Sequence, residues 1–275
     1  MADHWVRVVQ KLPSPASRLH IRHAANEPWW PQVIDDYWSG RLGGLERVPS
    51  SKFAEVDRGS VGPEPRVVYF KRFLRRGSFD SFKHLVRASR AARAFAGIRL
   101  FSDAGFSSTC VSCIVEARRL GVVRESCLVT EEVPDAPSLT HWLFDDSFGA
   151  GPDRPRRRRF LRELGAEVGA IHAAGLYHGD MRHGNVLCRE DGSGWRFAWL
   201  DLERSSAYSR LPIERRVYNL SQLNLWRDGL TFGDRWVFWA AYVEKAGLDR
   251  AAAKNVLCRV VAETQRRWRI WGWWK

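Results

Sequence analysis

The sequence has few cysteines, no long hydrophobic segment and no apolar leader. Five cysteines in 275 residues are too few, and odd in number, for a disulfide framework. The longest unbroken apolar run, residues 236–243, is less than half of the roughly 20 residues that span a bilayer. The N-terminus carries Asp3, Arg7 and Lys11 without an apolar block, which is not typical of a secretory signal. We therefore expect a cytoplasmic protein without a membrane-spanning helix.

Acidic residues are scarce relative to basic ones. The chain has 44 Lys and Arg against 31 Asp and Glu, a net charge of +13. Such a charge attracts nucleic acid, an anionic membrane surface, or phosphorylated substrates and nucleotides. The sequence contains no Cys/His finger and no ribonucleoprotein aromatic motif, so no nucleic-acid partner is expected. Cys110 and Cys113 form a C-x-x-C pair, but no second Cys or His pair has the spacing that zinc requires.

The periodicity of apolar residues differs between the two halves of the chain. A composition of 45% hydrophobic and 27% charged residues is typical of a folded globular protein of one or two domains. β-branched and aromatic runs predict strands in the first half, at 66–73, 109–117 and 126–133. A helical insert is expected at 78–104.

The second half is predicted to be mainly helical. Apolar residues recur there at helical spacing and define one face, at Phe160, Leu164, Val168 and Ile171. We predict an unassigned extension, a strand-rich lobe and a helical lobe with a basic, Trp-rich tail, at 1–44, 45–133 and 134–275. The lobes are divided near Pro134, where prolines interrupt the pattern.

The stretch 177–204 carries the chemistry. Residues 185–189 and 195–200 predict two strands joined by a Gly-containing turn, which is a hairpin. Because a hairpin pairs its two ends, Asn185 and Asp201 are expected side by side, with Asp180 in the loop that leads into the first strand. The sequence therefore predicts three converging oxygen-bearing side chains.

Those three side chains suit phosphoryl transfer. A carboxylate and an amide oxygen are ligands for Mg²⁺, so Asn185 and Asp201 are the predicted metal ligands. The spacing Asp-x-x-x-x-Asn, followed by an Asp after a hairpin, is that of the kinase catalytic loop, where the first Asp accepts the proton of the attacking hydroxyl. Asp180 is then the predicted base, and Arg182 supplies a cation near the transferred phosphoryl group.

At these residues the sequence resembles the protein-kinase-like superfamily and, more narrowly, the lipopolysaccharide core kinase (Kdo/WaaP-type) family. The similarity covers roughly residues 52–226, and its most specific stretches are 67–73, 127–133, 177–185, 200–204 and 215–223. It implies a two-lobed α+β kinase-like fold that uses ATP and Mg²⁺. It also implies that Lys71 binds the nucleotide phosphates and that the hinge at Glu131, Glu132 and Val133 holds adenine.

The chain departs from the family pattern at two places. Kinases of this kind pair the strand lysine with a glutamate on the next helix, where this chain has Ala94 or Ala96. Without that pair Lys71 is held less firmly, which slows phosphoryl transfer. The glycine-rich loop is also reduced, because residues 58–62 supply only two glycines.

Two basic segments are candidates for binding an anionic partner. The run 154–159 and the tail 266–275 are rich in Arg, and the tail adds several Trp residues. Tryptophan favours the membrane interface, and basic residues favour anionic headgroups. The tail is therefore expected either to bind an anionic membrane surface or to pack its Trp residues on the helical lobe.

The sequence thus predicts ATP-dependent phosphorylation of a Kdo or heptose hydroxyl on the lipopolysaccharide inner core. The enzyme is expected at the inner face of the cytoplasmic membrane, with a lipid-linked core oligosaccharide as substrate. Two alternatives stay open: a small-molecule phosphotransferase acting on an aminoglycoside or a choline-like acceptor, and a noncatalytic kinase-like binding protein. The sequence does not indicate which sugar hydroxyl accepts the phosphate, or the oligomeric state.

Overall fold

The computed structural model describes residues 5–11, 17–24, 26–74, 88–144, 148, 154–225 and 229–270. The chain divides into two compact units. The first comprises Met1–Ala96 and Thr109–Glu132, and the second Gly97–Ser108 and Val133–Lys275. Strands dominate the first unit and helices the second, as expected for an α+β protein.

The first unit is built on a seven-stranded antiparallel sheet. Its strands are β1 Trp5–Lys11, β2 Ser17–Ala24, β3 Glu46–Val48, β4 Ala54–Val61, β5 Arg66–Phe73, β6 Val111–Arg119 and β7 Val122–Glu131. Their order across the sheet is β1-β2-β6-β7-β5-β4-β3. Alternation of apolar residues buries one sheet face, where Val68 and Phe70 of β5 join the core.

Residues before 45 belong to this unit and are more than an extension. They form β1, β2 and helix α1, Trp30–Trp38. The α1 side chains Trp30 and Ile34 are fully buried in the same core as the sheet, and Tyr37 stacks on Phe70 with ring centroids 4.4 Å apart. The first unit therefore starts before residue 45, because a large part of its apolar core comes from this segment.

Two local predictions for the first unit need adjustment. The expected glycine-rich turn at 58–62 is mostly strand, since β4 continues to Val61 and the turn lies at 62–65. Gly62 adopts the positive φ of 93° that this turn requires. Of the helical insert expected at 78–104, the structure describes helix α2, Arg90–Asp103, while residues 75–87 lie outside the described residues.

The second unit packs helices around two short β-pairs. Its helices are α3 Leu139–Phe144, α4 Arg154–Ala173, α5 Ile213–Leu223, α6 Phe232–Lys245 and α7 Arg250–Ile270. Its strands are β8 Leu176–Tyr177, β9 Val186–Asp191, β10 Gly194–Trp199 and β11 Ser206–Ala207. Helix α4 approaches α6 closely at Gly165 and Gly169, where an added Cβ would lie 2.3 Å from the Phe238 oxygen and 2.7 Å from the Tyr242 oxygen.

The described residues of both basic segments lie in helices. The run 154–159 forms the first turns of α4, and Arg156 and Arg157 pair with Glu190 and Asp234. In α7 the Trp268 indole donates to the Leu225 oxygen at 2.5 Å, so this Trp contacts the helical unit; residues 271–275 lie outside the described residues. Among the described residues, no helix is both long and apolar enough to cross a membrane.

Candidate active site

The hairpin of β9 and β10 positions the two predicted metal ligands. The strands pair antiparallel from Val186 opposite Trp199 to Asp191 opposite Gly194, which leaves a two-residue turn. Beyond the paired ends, the Leu200 amide donates to the Asn185 oxygen at 2.9 Å. Asn185 and Leu200 are therefore neighbours at the open end of the hairpin, and Asp201 follows Leu200 directly.

Asp180 lies in the loop between β8 and this hairpin. The Arg182 guanidinium donates to both of its carboxylate oxygens, at 2.7 and 2.6 Å, and Asp180 raises the pKa of Arg182. The Asp180 side chain is 15% exposed and that of Arg182 58%. The Asn185 amide nitrogen donates to the Asp180 backbone oxygen at 2.8 Å, so one short loop fixes all three residues.

Helix α5 holds this loop from behind through two buried amide side chains. Gln222 donates from Nε2 to the Asp180 carboxylate at 3.0 Å and accepts the Met181 N–H at 2.9 Å. Asn219, one helical turn earlier, accepts the His178 N–H at 3.2 Å. Both amides therefore bind the backbone on either side of Asp180, and Gln222 also binds its carboxylate.

A buried hydrogen-bond chain extends from Asn219 into the helical core. Arg216 donates to the Tyr242 hydroxyl at 2.5 Å, and that hydroxyl lies 3.0 Å from His172 Nδ1. Because Arg216 donates to the hydroxyl, the hydroxyl donates to Nδ1 and His172 Nε2 carries the proton. His172 Nε2 faces the Asn219 oxygen at 3.4 Å. Burial, with help from Arg216, lowers the pKa of His172 to about 3, which keeps the ring neutral.

His178 links the loop to the aromatic core. Its Nδ1 accepts the Asp180 N–H at 3.2 Å, and its ring makes edge contacts with Phe101 and Trp199. Burial lowers the pKa of His178 to about 4, although the charges of Asp180 and Asp201 act in the opposite direction. The low pKa and the hydrogen bond make His178 a neutral group that supports the Asp180 backbone.

Asp201 occupies a conformation that few non-glycine residues adopt. Its φ of 56° and ψ of 47° are left-handed, and a 3₁₀ turn, Leu202–Arg204, follows it. Gly97 of α2 lies against this turn so closely that an added Cβ would be 2.0 Å from the Leu202 oxygen. The backbone around Asp201 is thus fixed by the hairpin before it and by α2 beside it.

The donor set fits Mg²⁺. Since the Asn185 amide nitrogen is used by the Asp180 oxygen, the amide oxygen is left to face a ligand. The Asp201 carboxylate would be the second protein ligand. Mg²⁺ is usually bound by only one or two protein oxygen ligands, and water and nucleotide phosphates complete its coordination shell. The described residues contain no cluster of three or more His, Cys, Asp or Glu that suits a metal ion.

The predicted nucleotide-binding residues lie mostly in the first unit. Lys71 is half-buried in β5, between Val56 and Leu128 in register. Glu131 ends β7 and Glu132 follows it, and their N–H groups donate to the Cys110 and Val67 oxygens. Their carboxylates pair with Arg66 and Arg58, and Arg58 lowers the pKa of Glu132. Val133 begins the longer segment of the second unit, Val133–Lys275.

The helix after β5 lacks the expected glutamate. At the two positions concerned, Ala94 is buried and Ala96 is exposed. A buried acid does lie on β6, but Glu116 accepts from Ser89 at 2.5 Å and from Arg118 at 2.7 Å. Burial would raise the pKa of Glu116, and these two partners lower it overall. Glu116 is therefore already paired and does not replace the missing residue.

Comparison with known proteins identifies the family. The sequence profile of the lipopolysaccharide kinase (Kdo/WaaP) family matches residues 55–242, well over half of the chain. The chain belongs to the lipopolysaccharide kinase (Kdo/WaaP) family. The matched region contains every predicted site residue, from Lys71 to Asp201, and also Asn219 and Gln222.

A solved structure supports the fold of this family member. A structure of WaaP in complex with acyl carrier protein matches with a TM-score of 0.62 and 22% identity, covering 88% of this chain and 95% of that one. The predicted kinase-like α+β fold is thereby confirmed. The Rio2 kinase of Chaetomium thermophilum, solved as an ADP/Mg²⁺-phosphoaspartate complex, matches with a TM-score of 0.47 and 14% identity, covering 95% of this chain and 82% of that one.

A curated relative matches over a short stretch. A protein of Oryza sativa subsp. japonica named for cyclin-dependent kinases is 35% identical over 69 residues, which are 25% of this chain and 21% of that protein. The match thus spans about a fifth of that relative's length.

The Kdo/WaaP family member has positioning groups that sequence reasoning missed. From sequence, Asn219 and Gln222 stand out only as part of a stretch that resembles the family. Their spacing of three residues places both amides on one face of helix α5, and this spacing is the signal that the sequence offers. What they bind lies about 40 residues earlier in the chain, and the sequence does not reveal that contact.

Proposed function

We propose that the protein is a kinase that transfers the γ-phosphate of ATP to a hydroxyl of Kdo or heptose in the lipopolysaccharide inner core. One observation carries the proposal. In a chain that matches the Kdo/WaaP family, the loop and hairpin bring Asp180 together with Asn185 and the segment that leads to Asp201. That arrangement supplies a base and two oxygen ligands within one short segment.

In the proposed reaction, Asp180 orients the acceptor hydroxyl and takes its proton as the new oxygen–phosphorus bond forms. The bond between the γ-phosphorus and the bridging oxygen breaks, and ADP leaves with that oxygen. Gln222 keeps the carboxylate directed toward the acceptor through its 3.0 Å contact. Arg182, beside Asp180 and largely exposed, neutralises charge that develops on the phosphoryl oxygens.

Residues within the region that matches the family would hold the nucleotide. Asn185 and Asp201 would hold Mg²⁺, which neutralises the nucleotide phosphates when it is bound. Lys71 would bind the α- and β-phosphates. Because the N–H groups of Glu131 and Glu132 are used within the sheet, adenine would bind to the Val133 N–H or to carbonyl oxygens of this stretch.

The direct test is transfer of labelled γ-phosphate from Mg-ATP to purified lipopolysaccharide core acceptors. We expect label in the core sugar with wild-type protein and none with Asp180→Ala or Asp201→Ala. Arg189→Ala, an exposed strand position of the same hairpin, serves as the folded control that keeps activity. Transfer to an aminoglycoside or choline instead of the core would replace this proposal with a small-molecule phosphotransferase.

The missing glutamate favours a second candidate, a noncatalytic kinase-like binding protein. Lys71 then binds nucleotide without promoting transfer. Under that alternative, ATP binds with measurable affinity and no acceptor is labelled. Calorimetric ATP binding combined with the transfer assay separates the two functions.

We further propose that the protein works at the inner face of the cytoplasmic membrane. The net charge of +13 and the Arg-rich α7 support this location, while the internal contact of Trp268 assigns that side chain to packing. Sedimentation with phosphatidylglycerol vesicles should retain the protein at low salt and release it at high salt. Equal sedimentation with neutral phosphatidylcholine vesicles would contradict an electrostatic attachment.

Acyl carrier protein is a proposed protein partner. The similar WaaP structure was solved with acyl carrier protein. In this chain, the helical unit has an apolar cavity of about 310 Å³ lined by Leu164, Leu223 and Val260, which suits an acyl chain. Phe232 and Trp236 also line it and are 82% and 56% exposed.

Binding of palmitoyl and unacylated acyl carrier protein to the full chain tests this partner. We expect the acylated form to bind more tightly, and Phe232→Ser to remove the difference. Leu120→Ser, which removes a 79% exposed side chain from the first unit, is the control and should change nothing. Equal affinity for the two forms would exclude the cavity as an acyl site.

A further inference from the structure

Arg216 is a buried cation without a buried anion. Its residue exposure is 8%, and among the residues that the structure describes it forms no ion pair. Burying an uncompensated charge costs several kcal/mol, which is why buried arginines are normally paired with carboxylates. The charge of Arg216 therefore needs an explanation outside the protein's own acidic residues.

The hydrogen-bond partner that the described part of the chain gives Arg216 does not neutralise it. The guanidinium donates to the Tyr242 hydroxyl at 2.5 Å, but burial raises the pKa of that phenol to about 12, so it stays uncharged. The acids at the starts of helices α5 and α7 have other partners. Glu214 pairs with Arg259 at 3.1 Å, and Asp249 accepts the Ala252 N–H at the start of α7.

Arg216 lines a cavity of about 410 Å³. The cavity lies where the N-terminal turns of α5 and α7 meet, and a second cation, Arg210, lines it from an exposed position. Asn255 contributes an amide, and Leu248 and Val256 contribute apolar wall. The N-terminal turns of helices favour anions, so helix dipoles and two guanidinium groups all favour negative charge here.

We infer that this cavity is a binding site for a phosphate group, with Arg216 as its buried cation and Arg210 as its exposed one. A guanidinium presents two parallel N–H donors that match phosphate oxygens. The phosphate belongs either to a free phosphate or small phosphate ester or to a lipid headgroup. The apolar wall accommodates the carbon skeleton of such an ester.

The site is connected to the catalytic loop. Arg216 begins the chain that runs through Tyr242 and His172 to Asn219, and Asn219 accepts the His178 N–H. A bound phosphate would share the Arg216 donors with Tyr242. A phosphate in the cavity would therefore affect the hydrogen bonds that hold the loop of Asp180, although it would not contact Asp180 itself.

The test measures thermal stabilisation of the full chain by inorganic phosphate, against chloride at equal ionic strength. Stabilisation follows the ligand's concentration relative to its dissociation constant. We expect the phosphate-dependent rise in Tm to fall at least twofold in Arg210→Ala and to disappear in Arg216→Met. Arg162→Ala, an exposed position on α4, is the control and keeps the full rise.

Arg210→Ala keeps the result interpretable even where Arg216→Met fails to fold, because Arg210 lies at the surface. Phosphatidylglycerol vesicles form a second arm. Binding to vesicles that depends on Arg210 would assign the phosphate to a lipid headgroup, and phosphate stabilisation alone would assign it to a soluble ligand. An equal rise in Tm for wild type, Arg210→Ala and Arg216→Met would overturn the inference. Neither arm requires kinase activity, so the outcome is independent of the proposed transfer.

Discussion

At the scale of single residues, Gln222 has the most specific geometry around the proposed base. One side of its amide donates to the Asp180 carboxylate at 3.0 Å and the other accepts the Met181 N–H at 2.9 Å. The amide is almost fully buried, so it cannot turn away without leaving a polar group unpaired. Gln222 is therefore a positioning residue for Asp180.

Replacing Gln222 by Leu should lower kcat by about 10- to 100-fold while changing KM little, because misplacement of a base affects the chemical step. Gln222→Glu should restore the contact with Met181 but place a second carboxylate beside Asp180, so its pH–rate profile should shift to higher pH. Steady-state kinetics across pH values measure both effects.

Ser221→Ala is the matched control for Gln222. The Ser221 hydroxyl donates only to the Tyr218 oxygen of its own helix, at 2.9 Å, so this variant should keep wild-type kinetics. Unchanged kcat in Gln222→Leu would show that Asp180 needs no support from α5.

The site residues that lie close together in the sequence could be predicted to be neighbours in the structure. Asp180, Asn185 and Asp201 lie within one loop and hairpin, so their neighbourhood follows from short-range pairing. The contacts of Gln222 and Arg216 join residues far apart in the chain, and they form only when α5 packs in the folded protein. Residue type and spacing do not contain that information.

At the scale of elements, α2 and the turn after Asp201 are fitted to each other at Gly97. Alanine is a better helix former than glycine by about 1 kcal/mol, so an isolated helix would gain from Gly97→Ala. In the folded protein the added Cβ would lie 2.0 Å from the Leu202 oxygen, which requires the backbone to move. Overpacking of this kind costs about 1–3 kcal/mol.

We predict that Gly97→Ala lowers the free energy of unfolding by about 1–2 kcal/mol, because the clash outweighs helix propensity. Urea denaturation followed by circular dichroism measures the change. In Gly43→Ala the added Cβ meets nothing within 4 Å, so stability should stay within about 0.5 kcal/mol. A gain in stability for Gly97→Ala would mean that α2 is not held against this turn.

Elements formed by near neighbours were predictable, and those formed by distant pairing were not. The β9–β10 hairpin and helix α4 follow from turn residues and helical periodicity. Strand β2 joins β6, with Ile21 opposite Val115, across more than 90 residues. No local pattern specifies such a pairing, which is why residues 1–44 received no assignment from sequence.

At the scale of the whole molecule, three of the buried histidines that the structure describes make stability depend on pH. Burial lowers the pKa of His172 to about 3 and those of His178 and His183 to about 4. In the unfolded chain these groups return to about 6.5. The unfolded state therefore binds more protons as pH falls from about 6.5 to 4, and stability is lost in that window.

We predict that each of these histidines costs about 2 kcal/mol of unfolding free energy between pH 7 and pH 5. Glu167, whose pKa is raised by burial, acts in the opposite sense and reduces the total. Denaturant titrations at both pH values measure the loss. His141→Gln, at an exposed site, should leave the slope unchanged, and equal stability at pH 7 and pH 5 would contradict the neutral buried histidines.

The most direct measurement of the central claim is mass spectrometry of lipopolysaccharide core oligosaccharide after incubation with the protein and Mg-ATP. We predict one added phosphate on a core sugar with wild-type protein, and an unchanged mass with Asp180→Asn, which keeps the shape of the loop but removes its base. An unchanged mass with folded, ATP-binding wild-type protein would contradict the claim that this site transfers phosphate to the core.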